Sequence, residues 1–241
     1  MSIQPRRTVP NLQMLDLVPW NSSLAYFAGN FTDAIMSEEG WTDAGKLLRT
    51  TTRVGGDDSV WENHMHFMRN MQKHGKGYYA GNEWGNLSCT HSHPRVSTPT
   101  GPCYEGKYNV TPAIRLWVIA SWMLANEGLS AIHISGIQQY GTWSWWPEYS
   151  AEIGRPLGPP EKQQTVVAGA SAKQTIWIRQ YTKSVAIVNP SPPSDKHINA
   201  TVRLEAGDYR GLDGRRVSNC QISGCSVEIG ASEGLVLLKH G

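Results

Sequence analysis

The run DAIMSEEGWTD, Asp33–Asp43, sets a short apolar segment, Ala34-Ile35-Met36, just before two adjacent carboxylates, Glu38 and Glu39. A second run, GKGYYAGNEWG, Gly75–Gly85, has the same shape and ends in Glu83. Short apolar runs bounded by turn residues read as buried strands. Acids at their ends then stand on the carboxyl edge of a sheet, where α/β folds bind ligands.

Working outward, Val60, His64, Phe67, Met68 and Met71 recur at helical spacing, which predicts a helix over residues 57–74. Asp57 or Asp58 can cap its start, and Gly75 can end it. A strand over 76–80 leads to the tip Gly81-Asn82-Glu83-Trp84. Thr111-Pro112 opens a second helix, with Thr as N-cap and Pro at the first helical position. Leu116, Ile119, Ala120, Met123 and Leu124 form its inner face, and a third strand follows over 131–134. Strand, helix, strand, helix, strand implies a parallel sheet with right-handed crossovers. Beyond a Pro- and Gly-rich linker, residues 153–164, short alternating runs separated by turn signals predict a small antiparallel β-sandwich. The expected domains are 1–155 and 163–241.

Composition narrows the function classes. The 241 residues carry a formal net charge of +2, too small to imply nucleic acid or an anionic membrane as partner. No apolar run approaches a membrane span, and the N-terminal MSIQPRRTVPNLQ has no apolar signal region. Ten Trp and nine Tyr against three Phe suit rings that face both water and ligand. The four cysteines fall in local pairs, Cys89 with Cys103 and Cys220 with Cys225, which suits disulfides. With N-x-Ser/Thr sequons at Asn21, Asn30, Asn86, Asn109 and Asn199, they favour a secreted glycoprotein. The absent leader is then explained if this chain is the C-terminal part of a longer protein.

The distal half resembles a known architecture. Arg179 with Tyr181, then Val188-Asn189-Pro190, then Tyr209 with Leu212 and Gly214, then Gly234 with Leu237-Leu238 resemble the C-terminal β-sandwich that follows the barrel in glycoside-hydrolase-like TIM-barrel proteins. Asp33 and Glu38 reproduce a spacing seen at the strands of such barrels. The resemblance implies α/β architecture, a partial (β/α) TIM-type barrel followed by the sandwich. A full barrel has eight strand–helix units and about 250 residues, so half of it is missing. An open half barrel leaves edges through which chains self-associate.

The chemistry expected from two strand-tip acids is glycoside cleavage. One protonates the leaving oxygen while the other attacks the anomeric carbon or activates water. Glu38 and Glu83 are the candidate catalytic pair, with Glu39 in reserve. Trp41, Trp84, Trp143 and Trp145 are candidate sugar platforms, although Trp41 and Trp84 serve equally well as core. Asn82, Gln138 and Tyr140 are candidate hydrogen-bonding partners of a carbohydrate substrate. No cofactor is expected, and no metal. Cys89, His91, His93 and Cys103 could hold zinc, but neither CxxC nor HExxH occurs and a loop disulfide is the simpler use of the cysteines. The chain is therefore expected to be a poly- or oligosaccharide hydrolase. The alternative is a non-catalytic carbohydrate-binding or structural fragment of a longer glycosidase-like protein.

Overall fold

The computed structural model describes residues 33–37, 40–43, 46–47, 60–84, 110–136, 144–166, 173–192, 199–220 and 224–240. They form two compact units, each described by itself.

The first unit holds strands β1 (Ala34–Ser37), β2 (Thr42–Asp43) and β3 (Lys46–Leu47), helix α1 (Val60–Lys73), and strands β4 (Gly77–Trp84) and β5 (Ser130–Gly136). The sheet order β1-β4-β5 is parallel throughout, with Ile35 opposite Tyr78 and Asn82 opposite Ile134. Strand pleating puts alternate residues on one face. Ile35, Ser37, Tyr78, Ala80, Asn82 and Ile134 are accordingly buried together, whereas Met36 and Tyr79 are half-buried. The stripe of α1, Trp61, His64, Met65, Phe67, Met68 and Met71, is buried, with Phe67 edge-on to Tyr78. Gly75 ends the helix with a positive φ of 73°.

A buried glutamine fixes the approach to β5. Gln72 Nε2 donates to the carbonyls of Met68 and Ala125, and its Oε1 accepts the N–H groups of Glu127 and Leu129. All its polar capacity on both sides is used, as burial demands.

The second unit holds helix α2 (Pro112–Ala125, grouped here through Leu124), a 3₁₀ turn (Pro147–Ser150), and strands β6 (Glu161–Val166), β7 (Lys173–Gln180), β8 (Ser184–Asn189), β9 (Ala200–Leu204), β10 (Gly207–Gly211), β11 (Arg216–Cys220), β12 (Cys225–Ile229) and β13 (Glu233–His240). Six strands form a sheet in the order β11-β10-β13-β8-β7-β6, and β12 pairs with β9. Their inner faces share a core that includes Ile176, Ile178, Val185, Ile187, Val202, Val227, Ile229, Leu235 and Leu237. No cysteine among the described residues is a free thiol, and Cys225 packs against this core.

The opposite face of the large sheet receives α2. Gly234 lies so close to the helix that an added Cβ would sit 2.7 Å from Trp117 Cα and 2.8 Å from the Leu116 carbonyl oxygen. At the helix's carbonyl end, Arg179 Nη1 donates to the carbonyls of Met123 and Leu124, and the Tyr181 hydroxyl donates to that of Met123. These are orphan acceptors of a helix terminus, and a cation there also opposes the helix dipole.

The expectation of an α/β protein built on a partial TIM-type barrel is overturned. The described residues are mostly strand, the parallel sheet has three strands, and no described sheet closes into a barrel. The physical reason lies in α2. Between two parallel strands its apolar residues read as a crossover helix facing the parallel sheet. Its buried contacts include the antiparallel sheet, at Gly234, Arg179 and Tyr181, which the strand–helix order does not announce. It is buried on nearly every side, which is how a helix apolar all round behaves.

Candidate functional site

The carboxyl ends of β1, β4 and β5 form the site candidate in the first unit. Ser37 ends β1 opposite Ala80 of β4, and Glu83 of β4 is in backbone register with Ser135 of β5. Parallel pairing forces these ends to one edge, so residues distant in sequence collect there.

Asn82 organises that edge. Its Oδ1 accepts the Trp41 N–H at 2.6 Å, and its Nδ2 donates to the carbonyls of Ala80 at 3.0 Å and His133 at 3.1 Å. The turn before Trp41 fits only because residue 40 is glycine. Gly40 has a φ of 50°, and a Cβ there would lie 2.4 Å from Asn82 Oδ1.

Beneath the edge runs a buried polar chain. Ser37 Oγ accepts the Gly40 N–H at 3.1 Å, and the Ser37 hydroxyl is bonded to Tyr78. The Tyr78 oxygen lies 3.2 Å from His64 Nε2, and Trp41 stacks on His64 with centroids 4.4 Å apart. Burial pushes the Tyr78 phenol far above its ordinary range, and the Ser37 bond pulls it partly back. Ser37, Tyr78 and His64 are thus linked in series, with the Tyr78 hydroxyl between the serine and the imidazole. Burial also lowers the His64 pKa to about 3, so the imidazole is neutral near neutrality. Partial burial raises Tyr79 and lowers His133.

The sequence candidates fall out as follows. Trp41 and Asn82 are fully buried side by side, and Trp84 is half-buried at the end of β4. The Trp84 indole Nε1–H is buried with no acceptor among the described residues. Glu83 is placed by its backbone only. Glu38, Glu39, Gln138, Tyr140 and Trp143 lie outside the described residues. Trp145 belongs to the second unit, where it is 61% exposed. It meets the Tyr149 ring edge-on at 5.6 Å and donates Nε1–H to Ser150 Oγ. Beside it, the Arg115 guanidinium covers the Trp146 ring at 4.6 Å and bonds Glu148 Oε1 at 2.8 Å.

The Ser37–Tyr78–His64 chain was the part sequence reading missed. His64 reads as one more member of an apolar helical stripe, and only the register of Tyr78 in the sheet reveals its partner. No group of three or more potential metal ligands clusters among the described residues. Cys89, His91, His93 and Cys103 lie outside them. No helix among them is long and apolar enough to cross a membrane.

No protein-family model matches this chain, and no curated protein matches it. Among solved structures, an alpha-L-fucosynthase of Thermotoga maritima in complex with alpha-L-Fuc-(1-2)-beta-L-Fuc-N3 is similar at a TM-score of 0.30 and 11% identity. The match covers 93% of this chain and 57% of that one. A likeness so slight establishes neither a shared fold nor a shared activity.

Proposed function

We propose that this protein is glycosidase-like and hydrolyses O-glycosyl bonds of a poly- or oligosaccharide with carboxylates at the ends of β1 and β4. The observation that carries the reading is the parallel register of those strands, Ser37 opposite Ala80. Glu38 follows Ser37 directly in the sequence, and Glu83 stands three residues beyond Ala80, which supports reading them as acids of one sheet edge. A pair of carboxylates is what acid-assisted glycosidic cleavage requires. Asn82 supports the reading by holding β4, β5 and the 40–41 turn together.

Exposed Trp145 favours a second reading, a carbohydrate-binding chain without catalysis. Its ring is held by Tyr149 and Ser150 yet remains open to solvent, as a sugar platform requires. Under either reading the sequons and paired cysteines support passage through the secretory pathway.

The test is hydrolysis across a glycan panel by the purified chain beside Glu38→Gln and Glu83→Gln. Loss of activity in both variants, with unfolding midpoints unchanged, supports the hydrolase. An inactive parent that binds glycans, and loses them on Trp145→Ala, supports the binding chain instead.

A further inference from the structure

Arg210 of β10 and Arg216 of β11 stand directly opposite each other across an antiparallel pair, and both are exposed. Like charges in that relation destabilise a sheet. Neither guanidinium meets a carboxylate within ion-pairing distance among the described residues. The contrast with their neighbour is sharp: Arg215 pairs with Glu233 at 2.7 Å and with Asp213 at 3.4 Å. The nearby acids Glu233 and Asp213 serve Arg215.

The two arginines line an open groove of about 310 Å³ together with Asp208, His240, Tyr209 and Val217. Asp208 lies two residues along β10 from Arg210 and opposite His240 of β13, and it forms no ion pair with either arginine. The groove keeps an excess of positive charge, and its two guanidinium forks come from Cα atoms about 5 Å apart. Planar forks at that spacing suit the several oxygens of one small anion, each fork donating in pairs.

We propose that this groove binds a tetrahedral oxyanion, phosphate or sulfate, free or as a monoester on a larger ligand. The bound anion removes the repulsion that the register imposes, so binding and stability are linked. This site is independent of the strand-end acids of the first unit.

The experiment is calorimetric titration of the full chain with inorganic phosphate, inorganic sulfate, glucose 6-phosphate and glucose 6-sulfate at matched ionic strength. Thermal unfolding is followed alongside. Saturable binding is expected, weakened at least about tenfold by Arg210→Gln and by Arg216→Gln, because each removes one charged fork. Arg203→Gln, an exposed arginine on β9, makes the same change of net charge elsewhere and is expected to leave affinity intact. Anion should raise the melting temperature of the parent and not of Arg216→Gln. Tighter binding of the esters assigns a larger ligand, and equal binding assigns the free ion. Equal weakening by all three variants would reduce the site to diffuse attraction and overturn the proposal. So would the absence of saturable binding by any of the four anions.

Discussion

Arg179 donates from Nη1 to the carbonyl oxygen of Met123 at 3.1 Å, across 56 residues of chain. Arg179 is 2% exposed, and its Nε also bonds the Gly158 carbonyl at 2.8 Å. Tyr181, just past the end of β7, donates to the same Met123 oxygen. The Arg-x-Tyr pattern at the end of β7 is thus a device that closes the carbonyl end of α2. A motif that looked like a family signature has a local physical meaning.

Replacing Arg179 with Met keeps much of the apolar stem but strands the carbonyls of Gly158 and Leu124. A cost of about 2–4 kcal/mol is expected, since each buried acceptor left unmet costs roughly 1–3 kcal/mol and the effects are not additive. Urea unfolding of the variant should show this loss. Arg179→Lys should recover little, because one ammonium cannot reach all three acceptors in the fork's geometry. Full recovery by Lys would show that charge alone matters.

Gly234→Ala tests the other end of the same docking. The methyl would meet the backbone of Trp117 and Leu116 below 3 Å, and backbone cannot rotate away as a side chain can. Overpacking of this kind costs about 1–3 kcal/mol, occasionally more. The expected result is a lowered unfolding midpoint. Gly158→Ala, where a Cβ meets nothing within 4 Å, should show no change of similar size.

These contacts also explain what could be read from the sequence. Helix α1 was legible because its stripe has the period of a surface helix, and β4 as an apolar run over 76–80, although the strand continues through the expected tip to Trp84. Helix α2 was legible as a helix but not in its packing. A sequence apolar on every side does not say which sheet it covers, and chain order gave no sign of the antiparallel one. Asn82 was found for its place beside Glu83, while the saturation of its amide depends on contacts 41 and 51 residues away. Tyr78 and His64 are 14 residues apart in different elements, a separation no periodicity reports.

Asn82→Ala should destabilise the first unit by about 2–4 kcal/mol, because it leaves the Trp41 N–H and two carbonyls without their buried partner. Asn82→Asp should cost at least as much, since a carboxylate has no N–H to give those carbonyls. Glu83→Gln should leave the unfolding midpoint unchanged while abolishing any hydrolysis. If Glu83→Gln unfolds as easily as Asn82→Ala, the acid is part of the scaffold and the hydrolase reading fails.

His64 makes stability depend on pH with a definite sign. Folded, its pKa is lowered to about 3 by burial against Trp41 and Tyr78. Unfolded, the ring titrates at the ordinary histidine value near 6.5. Between those values the unfolded chain binds a proton that the folded chain refuses. Stability is therefore full above about pH 6.5 and falls as pH drops towards 3, by on the order of 5 kcal/mol. His133, lowered by partial burial, acts in the same direction. The expected outcome is a urea midpoint that is flat above neutrality and declines steeply from about pH 6 to 4. His64→Gln lowers the plateau but flattens the decline, so the gap between parent and variant narrows as the solution is acidified. Parallel curves across that window would assign the acid sensitivity to other groups and leave the Tyr78–His64 contact without a role in it.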